Sequence, residues 1–122
     1  MKARGLVWLG TRTRNFDVTV RFFGETLGLR KAHEKPDFTV FRLPNGDTVE
    51  VFGPSDTEHE HFAAGPVAGF LVDDLREARA DLEAAGITFL SAVQRSEDGA
   101  GWSHFRGPDG NVYEITRPAK HG

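Results

Sequence analysis

Cysteine is absent from the 122 residues of this chain. That excludes a disulfide framework, a thiol nucleophile and any cysteine metal site. Long apolar runs are missing too. Hydrophobic residues make up 39% of the chain but occur in stretches of only a few, so no segment is suited to span a bilayer. The N-terminal MKARGLVWLGTRTR has basic residues but neither an extended apolar segment nor a small-residue cleavage site, and a soluble cytoplasmic protein is the expectation. No charge sign dominates. Fifteen basic and eighteen acidic side chains give a net charge of −3, a balance that argues against nucleic acid as a partner. There is no G-x-S-x-G elbow, phosphate-binding glycine loop or H-E-x-x-H helix, and Gly99-Ala100-Gly101 lacks the spacing of a dinucleotide fingerprint. Serine hydrolysis and hydride transfer with a Rossmann-bound cofactor are therefore unsupported.

What is present is an internal repeat. Residues 43–54 read LPNGDTVEVFGP and residues 107–118 read GPDGNVYEITRP, so Pro44, Gly46, Glu50 and Pro54 recur 64 positions later as Pro108, Gly110, Glu114 and Pro118. Each copy opens on a tight turn, in which Pro presets φ and Gly supplies a positive φ, and continues as an alternating strand around a glutamate. Upstream of each lies a helix-like stretch closed by glycine, Phe16–Leu27 before Gly28 and Leu75–Ala85 before Gly86. Phe16, Val20, Phe23 and Leu27 form one apolar stripe, as do Leu75, Ala78, Leu82 and Ala85. Asn15 or Asp17 is suited to cap the first helix, and Asp74 with Glu77 resembles a capping box for the second. Apolar stretches at Leu6–Leu9 and Val67–Val72 precede the helices. Phe38–Leu43, Thr48–Phe52, Ile87–Val93, Gly101–Arg106 and Asn111–Arg117 are the remaining strand candidates. The pattern predicts one α+β domain over residues 1–122, built of two β-α-β-β-β modules, about 5–54 and 66–118, joined by a polar linker 55–65. A lone module of this size buries too little surface to be secure, which predicts one shared core.

Glu50 and Glu114 are the first candidates for chemistry. Strand alternation sets each on the face opposite its valine, tyrosine or isoleucine neighbours. For one glutamate a solvated face is the ordinary reading. Two at matching repeat positions bring convergence on one cavity level with it, to bind a divalent metal, act as acid and base, or hold a cationic ligand. His104 shares a face with Trp102 and Arg106, a row offering a stacking plane, a proton carrier and an anion partner, or simply the outside of a sheet. His33, in KAHEKPD, and His121, in the C-terminal tail, read as solvated. His59 and His61 alternate in an acidic segment, where a flexible, solvated linker is preferred to a metal site.

The helix containing Val20-Arg21-Phe22-Phe23-Gly24-Glu25-Thr26-Leu27-Gly28-Leu29 resembles the first helix of the vicinal oxygen chelate superfamily, which includes glyoxalase I, extradiol dioxygenases and the fosfomycin- and bleomycin-resistance proteins. Val72-Asp73-Asp74-Leu75 with Ala85-Gly86-Ile87 is similar to its second helix, and Gly107-Pro108-Asp109-Gly110-Asn111-Val112-Tyr113-Glu114-Ile115 to its strand-turn signature, with glycine for the first aspartate. The resemblance covers nearly the whole chain. It implies two β-α-β-β-β modules forming a shared, curved mixed sheet around a cavity, as in glyoxalase and bleomycin-resistance proteins, and it implies a homodimer.

Metal-binding members resemble one another in four ligands, one on the first and one on the fourth strand of each module. Carried onto this sequence, two fall on Glu50 and Glu114 and the others on Trp8 and Val67, neither of which is a side-chain metal ligand. His104 does not match a family ligand position. The resemblance thus implies the metal-free branch: a small-molecule-binding protein with no cofactor expected, whose small organic ligand contacts Trp8, Glu50, Trp102, His104 and Glu114. Core filling is the competing role for Trp8. The alternative is an enzyme, a lyase, isomerase or dioxygenase, either with a divalent metal at an unusual site or with Glu50, Glu114 and His104 as acid–base catalysts. A structural or regulatory dimer with a collapsed cavity is the third reading.

Overall fold

The structure, a computed structural model, describes residues 1–63 and 65–119. His121, expected to be solvated, lies outside the described residues. Both copies of the repeated turn form as their sequence dictates. Gly46 and Gly110 take φ of 93° and 84°. Asn45 Oδ1 accepts the Asp47 N–H, and Asp109 Oδ1 the Asn111 N–H, each at 3.0 Å, so both turns are closed by the side chain that precedes the glycine.

The elements in chain order are β1 (Gly5–Arg12), α1 (Phe16–Arg21) continuing as a π-helical turn (Phe22–Thr26), β2 (Arg30–Lys35), β3 (Phe38–Arg42), β4 (Thr48–Phe52), β5 (Val67–Leu71), α2 (Leu75–Ala84), β6 (Gln94–Arg95), β7 (Gly101–Arg106) and β8 (Val112–Arg117). The order β-α-β-β-β occurs twice, and the fold is α+β. The chain divides into an N-terminal unit, Trp8–Val67, and a C-terminal unit made of Met1–Val7 with the chain from Ala68 onward, so β1 contributes to both. In the N-terminal unit the strands run β2-β3-β4-β1, with β1 parallel to β4 and the other pairs antiparallel. The C-terminal unit repeats this as β6-β7-β8-β5, again with one parallel pair.

Each helix packs on one face of its own strands. Val20, Phe41, Val49 and Val51 form one buried cluster, and Val72, Leu75, Ala78, Phe105 and Ile115 form the other. Each helix thus covers a buried apolar cluster of its own, while Val40, Phe52, Phe62, Val67 and Val112 are buried outside both. Asp74 caps α2 as its sequence suggests, accepting the Glu77 N–H at 2.9 Å. Asn15 makes no side-chain cap to α1; instead Thr13 Oγ1 accepts the Asn15 N–H. Gly28 and Gly86 take the positive φ that ends each helical segment.

Four expectations need correcting. The first helix is α-helical only to Arg21 and then widens into the π-turn, because the Leu27 N–H reaches back five residues to the Phe22 carbonyl. Arg30–Lys35, which the strand candidates leave out, forms β2, all six of whose residues are exposed; an edge strand with both faces wet needs no apolar alternation. Ile87–Val93 is not a strand. It touches β7 through one bridge, Phe89 opposite Phe105, and is held by Arg79, whose Nη1 donates to the Ser91 carbonyl at 2.6 Å and to Ser103 Oγ at 3.1 Å. The guanidinium of Arg79 also lies 4.4 Å from the Phe89 ring centre.

The fourth correction concerns His59 and His61 in the linker: Ser55, Thr57, Glu58, Glu60, Ala63 and Gly65 are exposed, but the histidines are half-buried and the segment is strapped down around Phe62. His59 stacks on Phe52 with ring centres 3.8 Å apart, its Nδ1 lies 2.8 Å from Asp56 Oδ2, and Phe62 is only 2% exposed. Arg12 holds the strap by donating to the carbonyls of Pro54 and Asp56. Asp37, at φ 58°, anchors its start: the Asp37 carbonyl accepts the Gly53 N–H, and its carboxylate accepts the Ser55 N–H. His61, edge-on to Phe62, is half-buried as well.

Thr39 and Ser103 stand 64 positions apart on equivalent strands, and both are fully buried. Ser103 Oγ is satisfied by Arg79, whereas Thr39 Oγ1 has no hydrogen-bond partner among the described residues. A buried hydroxyl without a partner costs stability that an isosteric methyl does not. Thr39→Val is therefore expected to raise unfolding stability by about 1 kcal/mol, measured as a higher urea midpoint with unchanged slope. A lower midpoint would show that the hydroxyl is satisfied in solution.

Candidate functional site

Strand alternation separates the candidate residues from the helix-packed cores. In β8, Tyr113 and Ile115 pack toward α2, which directs Glu114 to the opposite face. In β7, Phe105 packs on the helix side, so Trp102, His104 and Arg106 share the face of Glu114. The hairpin register then sets His104 directly opposite Glu114. Their side chains meet: His104 Nε2 lies 2.9 Å from Glu114 Oε1, with the two residues 3% and 4% exposed.

Burial decides the protonation of this pair. Removing water disfavours both the carboxylate and the imidazolium. Desolvation pushes Glu114 up to about 8 and His104 down to about 4. At neutral pH the pair is a carboxylic acid and a neutral imidazole, with the Glu114 O–H donating to His104 Nε2 and the remaining imidazole proton on Nδ1. One proton is thus stored in a dry setting between an acid and a base. The other two members of the row differ. Trp102 is half-buried opposite Thr116, and Arg106 is exposed, donating from Nη1 to the Gly110 carbonyl at 2.7 Å.

Glu50 occupies the matching place in the N-terminal unit. Val49 and Val51 join the α1 core, so Glu50 faces away from it, opposite Val40 on β3 and Gly10 on β1. Val40 is the repeat equivalent of His104, and this glutamate accordingly has no imidazole across the strand pair. Glu50 is half-buried. Trp8 lies two residues before Gly10 on the same face. Its indole leans over Gly10 so closely that a Cβ on the glycine would lie 2.0 Å from Trp8 Cη2. The indole also meets Phe62 of the strap edge-on, ring centres 6.1 Å apart. Trp8 is half-buried, and since its neighbour Leu9 packs on the α1 cluster, strand alternation sets Trp8 on the face of Glu50. His33 is exposed on β2, as expected.

Sequence reasoning identified His104 and Glu114 but not their contact. The signal was present: both lie five residues from Asp109 at the centre of the hairpin turn, which sets them opposite one another. The strap residues His59 and Phe62 were missed because a polar, proline-bounded segment carries no local mark of its long-range aromatic contacts.

Residues 5–115 match the sequence profile described as Glyoxalase/Bleomycin resistance protein/Dioxygenase superfamily. No curated protein matches the chain by sequence. Among solved structures, methylmalonyl-CoA epimerase from Mycobacterium tuberculosis is similar with a TM-score of 0.75 at 18% identity, over 97% of this chain and 90% of that one. The Streptomyces coelicolor methylmalonyl-CoA epimerase in complex with 2-nitronate-propionyl-CoA gives a TM-score of 0.70 at 15% identity, over 98% and 100% of the two chains. The Mn(II)-bound glyoxalase from Novosphingobium aromaticivorans gives 0.77 at 20% identity, over 99% of this chain and 41% of that one. At these identities the likeness is one of fold.

The residues present do not fit a divalent metal of the kind bound by that last protein. At the four positions where ligands are expected, Trp8 presents only an N–H donor and Val67, 2% exposed, presents no donor atom. Glu114 Oε1 is already engaged with His104 Nε2 at 2.9 Å. Among the described residues no group of three histidine, aspartate or glutamate side chains is placed to hold an ion.

Proposed function

We propose that this chain, which belongs to the Glyoxalase/Bleomycin resistance protein/Dioxygenase superfamily, is a metal-independent binding protein for a small organic ligand. The family resemblance assigns Trp8, Glu50, Trp102, His104 and Glu114 as the residues that contact it. The observation that carries the reading is the donor set. Ligand positions hold tryptophan and valine, and the surviving glutamate of the second module keeps its proton and bonds to an imidazole. Such a set offers a stacking plane and hydrogen-bonding groups, which suit an organic molecule better than a cation. A homodimer in solution belongs to the same proposal, on the strength of the family resemblance.

The test is elemental analysis and thermal unfolding of protein stripped with a chelator and then offered Mn²⁺, Ni²⁺, Fe²⁺ or Zn²⁺. The expected result is no stoichiometric ion and an unchanged Tm, whereas cationic or neutral aromatic compounds in a ligand panel raise it. A true ligand at a hundredfold excess over its Kd adds about 2.7 kcal/mol to the stability. One metal ion per chain, lost in Glu50→Gln or Glu114→Gln, would overturn the proposal.

One observation favours a second reading, a metal-independent proton-transfer enzyme. A carboxyl group at about 8 beside an imidazole is poised to give and take a proton near neutral pH. The epimerase neighbours share the fold that would present it. Turnover of any carbonyl-activated carbon acid that survives chelation and is abolished by Glu114→Gln would establish this reading over simple binding.

A further inference from the structure

The N-terminal unit has a concavity on the helix side of its strands, and therefore on the opposite face from Glu50. It encloses about 250 Å³. Phe41, fully buried, forms its floor together with Val20 and Leu29. One wall is the bare backbone of Gly24, where a Cβ would stand 3.3 Å from Phe41 Cε1. That wall exists because the helix widens: the five-residue turn Phe22–Thr26 swings Gly24 over Phe41 in a conformation that helices adopt rarely and retain most often at functional sites. The mouth carries Arg21, Lys31 and Glu25. Lys31 is paired with Glu34 at 3.2 Å, whereas Arg21 forms no ion pair among the described residues.

We propose that this concavity binds a small organic monoanion with an apolar body, a monocyclic aromatic or short branched carboxylate. The volume exceeds the roughly 150 Å³ cavity that accommodates benzene, leaving room for a carboxylate at the mouth. The ring or alkyl group contacts Val20, Leu29 and Phe41. The carboxylate pairs with the Arg21 guanidinium, whose fork matches its two oxygens. Glu25 selects against a second negative charge on the ligand. The site needs neither Glu50 nor the His104–Glu114 pair, so it is independent of the function proposed above.

Titration of isotope-labelled protein with benzoate, followed by amide and methyl NMR, tests this. The expected result is saturable shifts at Val20, Gly24 and Leu29 with a Kd in about the millimolar range. Acetate, which lacks the apolar body, and benzyl alcohol, which lacks the charge, are expected to bind at least about tenfold more weakly. Arg21→Gln, at an exposed position, is expected to weaken benzoate by a similar factor, and Gly24→Leu to abolish it. The dispersion of the same spectra reports whether each variant is folded. Shifts that do not saturate, shifts centred on Gly10 and Glu50 instead, or equal affinity in folded Arg21→Gln would overturn the proposal.

Discussion

Unfolding stability is expected to fall as pH rises from about 6.5 to about 8, and Glu114→Gln to abolish that fall. In the unfolded chain Glu114 and His104 titrate near their ordinary values of 4.5 and 6.5, whereas in the fold they stand at about 8 and about 4. Between the two ordinary values, the folded and the unfolded pair each hold one proton, on the carboxyl in one and on the imidazole in the other. Stability there is flat with respect to this pair. Above the ordinary histidine value the unfolded pair holds no proton while the folded pair still holds one. Unfolding then releases a proton, and raising the pH favours it. The loss across that window is on the order of 2 kcal/mol.

Glutamine keeps the shape and the neutral charge, and its amide N–H can donate to His104 Nε2. Its variant is therefore expected to be flat from about pH 6.5 upward and at least as stable as the parent at about pH 8.5. Glu114→Ala is different. It opens a cavity and leaves a buried imidazole nitrogen without its donor, at a cost of about 2–4 kcal/mol at every pH. Urea titrations at two pH values on the three proteins read all of this. A parent protein that is flat or gains stability as pH rises through the same window would mean that the folded pair holds no proton there, and that burial does not keep Glu114 protonated.

Gly10→Val is expected to destabilise the protein by about 1–3 kcal/mol and to drive the Trp8 indole out of its place. The nearest atoms to a new Cβ would be Cη2, Cζ2 and Cζ3 of Trp8, at 2.0, 2.6 and 2.8 Å. An indole cannot bend out of such a contact, so the whole ring must rotate and lose its edge-on contact with Phe62. In a Trp102→Phe background, where Trp8 is the sole tryptophan, its emission on excitation at the indole band is expected to shift to the red. The double variant Trp8→Ala/Gly10→Val is expected to be more stable than the sum of the single losses predicts, because the clash is gone once the ring is. Strict additivity would mean that the indole does not lie over Gly10. Loss of small-molecule binding in Gly10→Val, with the fold retained, would tie the position of the ring to function.

Much of the fold was legible because it is written in local pattern. The two Pro-Asn/Asp-Gly turns, the Gly28 and Gly86 stops, the Asp74 cap and the alternation around Glu50 and Glu114 each depend on residues within a few positions of one another. What was not legible depends on distant partners. Phe62 becomes core because Phe52 and Trp8 meet it, and Ile87–Val93 bridges β7 only at Phe89 while Arg79, from α2, takes the Ser91 carbonyl. The π-turn was hidden for another reason: apolar residues at Phe16, Val20, Phe23 and Leu27 satisfy α-helical spacing, so the stripe does not reveal where the helix widens. The site was legible in its residues and not in their chemistry. Both glutamates were visible as a pair, but the sequence repeat suggests equivalence where the structure has none, since one faces histidine across the strands and the other valine.

The charged edge strand has a consequence for how this protein behaves when crowded. Among the described residues β2 pairs with β3 alone, which leaves its outer edge open to a passing strand. Its sequence, Arg30-Lys31-Ala32-His33-Glu34-Lys35, gives such a strand no apolar surface to settle on, its register shifts between Lys31 and His33, and Pro36 follows directly. Each of these discourages the continuation of a sheet from one molecule into the next. The run that looks least like a strand is thus the one that keeps the strands beside it from recruiting others, and apolar residues in place of Lys31, His33 and Lys35 would turn a soluble margin into a seed for aggregation.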